Sequence, residues 1–143
     1  MSVAFAPIQP FTLWAVVKLT SQTGSPVVVA DGSNVGALYA PTATQVQSFA
    51  GVALVATFNM TTAFTTYVTV FNGGSSQLRA NGTQLASGNI GSANMSTFSV
   101  GAYDATQLWM DGDIAEVGLT TQALSGTGVQ RLENYLRRRY ATW

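Results

Sequence analysis

Few residues in this chain can do chemistry, and their types narrow the field at once. Histidine and cysteine are both absent from the 143 residues. That removes the usual general base, every cysteine nucleophile, Ser-His-Asp catalysis and the standard zinc sites. There are six carboxylates, and four of them, Asp104, Asp111, Asp113 and Glu116, fall within thirteen residues. Carboxylate oxygens suit Ca²⁺, so Asp104, Asp111 and Asp113 are candidate calcium ligands. A turn at Asp111-Gly112-Asp113 with solvated carboxylates, and Glu116 paired from a strand, accounts for the same spacing; no other cofactor is expected. Two carboxylates could also form a glycosidase acid/base pair.

A sugar site needs an aromatic face for the ring and a few amide or carboxylate groups for the hydroxyls. Tyr39, Asn72, Tyr103, Asp104 and Trp109 fall in expected loops and supply both. Trp109, beside Gln107 and Asp111, is the best candidate for an exposed ring, against the plain alternative of a core or interface tryptophan. Trp14, inside the most apolar strand, is expected in the core.

Charge is sparse: 8% of residues are charged and the net charge is zero, against roughly 25% charged in an average soluble domain. Residues 1–124 carry only Lys18 and Arg79 as cations, too few to track a phosphate backbone, so nucleic-acid binding is set aside. The neutrality hides a polarity of −3 over residues 1–124 and +3 over residues 125–143. Arg131, Arg137, Arg138 and Arg139 either complement a helix dipole or form a docking patch for an acidic surface. No run of 18 apolar residues suggests a membrane span. Met1 to Pro10 lacks the features of a signal peptide, which leads us to expect synthesis and release in the cytosol.

The elements that must position these residues are mostly strands. Twelve serines, 18 threonines and 14 glycines beside 47% hydrophobic residues read as short strands with small polar faces. Residues 1–10, with Pro7 and Pro10, read as an extended arm, and residues 11–143 as one domain. Strands are expected over Phe11 to Leu19, Val27 to Ala30, Gly36 to Ala40, Gln45 to Phe49, Val52 to Phe58, Phe64 to Phe71 and Thr97 to Tyr103. Asn81-Gly82 signals a type I′ hairpin between Gln77 to Ala80 and Thr83 to Ala86, with Leu78 facing Leu85 and Arg79 facing Gln84. Gln107 to Thr120 reads as two β runs interrupted at Asp111-Gly112-Asp113. Val129, Leu132, Leu136 and Tyr140 then recur at helical spacing, giving an amphipathic helix over about 125–140 with Ser125 as N-cap and a Glu133–Arg137 pair.

The segments QPFTLWAVVKL (Gln9 to Leu19), YVTVFNGGSSQLRANGTQLASG (Tyr67 to Gly88), FSVGAYD (Phe98 to Asp104) and GDIAEVGLTTQALSGTGVQRLENYLRRRY (Gly112 to Tyr140) follow in order. Together they resemble the concanavalin A-like, laminin G-like jelly-roll domains of bacteriophage virion proteins and bacterial surface proteins. The resemblance implies an all-β fold, an antiparallel jelly-roll β-sandwich with one C-terminal helix. The strand motif of two glutamates around an aspartate, carried by glucanases of the wider group, has no match here, so no enzyme is expected. Family members generally carry several tens of residues before the strand matching Phe11 to Leu19, where this chain has ten. That shortness leads us to expect an open sheet edge closed by the arm or by another subunit, and hence a homo-oligomer or assembly. The function expected from the resemblance is a non-enzymatic virion structural protein, a capsid decoration or cement protein on the particle surface that contacts a major capsid protein. The alternative is a carbohydrate-binding adhesin or lectin-like module of a phage tail or bacterial surface, with a glycan as partner.

Overall fold

β-branched and aromatic residues dominate the extended runs, and in the computed structural model these runs pair into strands followed by one helix. The structure describes all residues except 1, 4, 34, 36, 62 and 104–107. The strands are β1 (Ser2–Val3), β2 (Phe11–Leu19), β3 (Val27–Ala30), β4 (Leu38–Thr42), β5 (Gln45–Phe49), β6 (Ala53–Thr57), β7 (Thr65–Phe71), β8 (Ser76–Ala80), β9 (Thr83–Gly88), β10 (Phe98–Val100) and β11 (Gly112–Thr120); helix α1 spans Gly126–Tyr140. They form two antiparallel sheets, ordered β1-β10-β3-β4-β5-β6 and β11-β2-β7-β8-β9. The arm is not free, because Ser2–Val3 pairs with β10 and forms the edge of the first sheet.

The core lies between the sheets. Alternation along β2 turns Phe11, Leu13, Ala15, Val17 and Leu19 inward, all buried. Phe11 and Phe71 are register partners whose rings stack at 4.4 Å. Each such side chain contributes about 1.5–3 kcal/mol on burial. Polar groups inside are mostly satisfied: the Ser48 and Thr69 hydroxyls, one from each sheet, meet at 2.9 Å.

The outer face of the five-stranded sheet carries the helix. Val68, Val70 and Val129 form a second small cluster there, and Trp14 packs against it rather than in the main core where it was expected. Trp14 points outward because its neighbours Leu13 and Ala15 point in. Its indole N–H donates to Glu116 Oε1 at 2.8 Å, and its ring lies across Gly118, where a Cβ would come within 2.2 Å. Ser125 caps α1 as expected, accepting from the Gly128 N–H at 3.3 Å.

Three local expectations are corrected. Glu133 does not pair with Arg137; it is buried and takes the Arg79 guanidinium at 2.7 Å and 3.2 Å. Arg79 projects from β8 directly beneath the helix, and a desolvated carboxylate takes the partner that removes its charge from an apolar contact. The Asn81-Gly82 turn forms, with φ of 48° and 77°, and Arg79 faces Gln84, but Leu78 faces Ala86 because the register shifts between Leu78 and Arg79. β11 runs unbroken from Gly112; its irregularity falls between Ile114 and Glu116, not at Asp111 to Asp113. At Gly112, φ is 152° and a Cβ would stand 2.2 Å from the Lys18 carbonyl oxygen, so this strand can approach β2 there only with glycine.

Candidate functional site

Helix α1 covers the five-stranded sheet, and the six-stranded sheet turns its outer face the other way. On that face one row crosses four strands: Val27 pairs with Tyr39, Tyr39 with Gln47, and Gln47 with Val55. The pleat puts Val46 and Ser48 of β5 inward, and so Gln45, Gln47 and Phe49 outward. Thr57 stands opposite Gln45, and Ala53 opposite Phe49. Along the row Val27 and Gln47 are buried, Tyr39 is half-buried and Val55 is 40% exposed.

Hydrogen bonds hold the polar groups of this face in place. The Gln47 side-chain amide donates to the Tyr39 hydroxyl, which leaves that O–H to donate outward. Burial raises the Tyr39 phenol above the ordinary tyrosine value, the Gln47 hydrogen bond pulls the other way, and nearby Tyr103 adds to the rise. Tyr39 is therefore a neutral donor across physiological pH. Tyr103 borders the same area, its hydroxyl donating to the Ser33 carbonyl.

A third aromatic residue is brought to the margin by the segment before β11. Val27 N–H donates to the Leu108 carbonyl at 3.3 Å, and Met110 N–H to that of Gly101 at 2.8 Å. Gly101 N–H in turn reaches the Val28 carbonyl at 2.9 Å. Leu108 takes a left-handed φ of 56°, unfavourable for a bulky residue, and Trp109 beside it is 61% exposed. Tyr39 and the backbone preceding Trp109 thus meet at Val27, and Tyr103 lies close enough to Tyr39 to act on its phenol. Asn72 does not join them: it lies in the turn between β7 and β8, on the other sheet, where its N–H donates to Ser76 Oγ. Asp104 lies outside the described residues. The sequence reading missed Gln45, Gln47, Phe49 and Val55, although the alternation in QVQSF over 45–49 already grouped three of them on one face.

Among the described residues, the carboxylates of this cluster do not converge on one centre. Glu116 sits on the helix-bearing side and accepts from Trp14 at 2.8 Å, Tyr140 at 2.9 Å and Tyr135 at 3.3 Å, with Arg139 at 3.7 Å. Both of its oxygens already accept hydrogen bonds from neighbouring side chains. Asp111 and Asp113 are exposed, and Asp113 stands across the strand pair from Lys18. Among the described residues no three carboxylates converge as metal ligands.

No family model matches the chain, and no curated protein matches it in sequence. Solved structures match its fold. A Bacteroides ovatus protein described as carbohydrate binding superposes with a TM-score of 0.74 at 13% identity, over 90% of this chain and 42% of its own. The CBM40 of a Ruminococcus gnavus IT-sialidase, bound to α2,3 sialyllactose, gives 0.66 at 13% identity over 89% of this chain and 83% of its own. Trypanosoma rangeli sialidase with difluorosialic acid gives 0.68 at 17% identity over 92% of this chain. The chain spans under half of the Bacteroides ovatus protein and about a quarter of the sialidase. At these identities the likeness shows the fold, a jelly-roll β-sandwich. The jelly-roll part of the expectation stands. Nothing in the comparisons supports the bacteriophage, virion or capsid part.

Proposed function

We propose that this chain is a non-catalytic carbohydrate-binding module that lays a neutral saccharide along the outer face of its six-stranded sheet. The observation that carries the reading is the Val27–Tyr39–Gln47–Val55 row, with Tyr103 and Trp109 at its border. Aromatic rings offer flat apolar surfaces for the C–H face of a sugar, while amides and phenols serve its hydroxyls. The outward side chains of the row and its flanks, Gln45, Phe49 and Thr57, carry no charge, which suits a neutral ligand. The carbohydrate-binding neighbours support the same reading. A shallow face of this kind binds one sugar chain weakly, so repeated display or self-association would multiply its grip.

A glycan microarray probed with the wild type beside Tyr39→Ala and Trp109→Ala tests the proposal. Removing a stacked ring together with its hydrogen bond should weaken binding by about tenfold or more. Binding to no glycan, or equal binding by all three proteins, would sink the proposal.

A further inference from the structure

The helix face offers a chemistry that the six-stranded sheet lacks. Arg131, Asn134, Tyr135, Arg138 and Arg139 recur at offsets of three, four, seven and eight, which places all five on one side of α1. They line an open recess of about 530 Å³, within the size range of small-ligand sites. Arg79 is paired with Glu133, and Arg139 lies 3.7 Å from Glu116 and 5.6 Å over the Tyr140 ring. Among the described residues, Arg131 and Arg138 meet no carboxylate at ion-pair distance. Between them Tyr135 is 47% exposed, with its hydroxyl tethered to Glu116 at 3.3 Å.

We propose that this recess is a second saccharide site, selective for anionic sugars. Arg138 follows Arg131 by seven positions, about 10 Å along the helix axis, a gap that two extended side chains can close on one oxyanion. A guanidinium fork matches a carboxylate or a sulfate ester by paired N–H···O bonds. The Tyr135 ring then receives the sugar face, and the Asn134 amide a hydroxyl. A nucleic acid would need a longer cationic track than the chain provides. An acidic peptide would satisfy the arginines but has no sugar face for Tyr135. The proposal rests on the carbohydrate-binding reading, but it uses the opposite face of the sandwich, so the two sites can be tested apart.

Affinity electrophoresis provides the test, with gels containing polygalacturonate, its methyl ester, dextran sulfate, dextran or polyglutamate. The wild type should be retarded more by polygalacturonate than by its ester if the ligand is a uronic acid. It should be retarded more by dextran sulfate than by dextran if the ligand is a sulfated sugar. In the double variant Arg131→Gln/Arg138→Gln that preference should fall about tenfold, while retardation by the neutral polymers is unchanged. Both side chains are exposed, so an unaltered circular dichroism melt should accompany the loss. No anionic preference in the wild type, an unchanged preference in the double variant, or equal retardation by polyglutamate would overturn the proposal. Retardation by neutral polymers that survives Tyr39→Ala would instead count against the sheet-face reading and leave the recess standing.

Discussion

Two buried polar residues show how single groups set this protein's stability. Burial pushes the Tyr67 phenol well above its ordinary value, eased only by the nearby Thr65 side chain, and its hydroxyl meets no partner at good hydrogen-bond geometry among the described residues. Its desolvation is therefore compensated only weakly, and Tyr67→Phe should leave stability unchanged or raise it by up to about 1 kcal/mol in urea denaturation. A loss larger than that would mean the hydroxyl does have a partner. Asp31 is the opposite case. Burial would raise its carboxyl, but hydrogen bonds from the Val35 and Ser33 backbone, the Ser33 hydroxyl and the Ser96 backbone outweigh burial and hold it below the ordinary value of 3.8. Because the folded value lies below the unfolded one, this contribution is complete above about pH 4 and is lost as pH falls through the folded value. Asp31→Asn should flatten the acid limb of a stability–pH curve while lowering the neutral plateau by about 1–2 kcal/mol. Neither residue's environment could be read in the sequence, since Asp31 and Ser96 are 65 positions apart.

Local signals were legible at the scale of elements, and contacts between elements were not. Asn81-Gly82 announced its hairpin through the φ > 0 that both residues adopt, and Ser125 announced the helix through the cap it supplies. The Glu133–Arg137 pair was a sound local expectation that a tertiary contact displaced. Leu78 lost its expected partner Leu85 to a register shift that no residue of the turn encodes. The Arg79–Glu133 link now carries a prediction. Glu133→Gln leaves a mostly buried guanidinium under the helix and should cost about 2–4 kcal/mol in thermal or urea unfolding. Joint replacement by Arg79→Met and Glu133→Leu should recover most of that loss. A single variant as stable as the wild type would show that the pair does not hold α1 to the sheet.

For the whole molecule, alternation and the order of elements pointed to a β-sandwich ending in a helix, and the structure has that form. Which face stays open was not legible, because it depends on where α1 lands. The row from Val27 to Val55 is likewise assembled from four strands whose partners are set by the sheet and not by spacing along the chain. The polarity of charge was visible from the start, and it now separates a neutral sheet face from an arginine-bearing helix face. Amide chemical-shift mapping of the ¹⁵N-labelled protein tests the central claim most directly, using the neutral oligosaccharide that binds best on the array. The account predicts shifts concentrated at Tyr39, Gln45, Gln47, Val55 and the Trp109 indole. Shifts confined to the helix-bearing sheet, or none at saturating sugar, would contradict it.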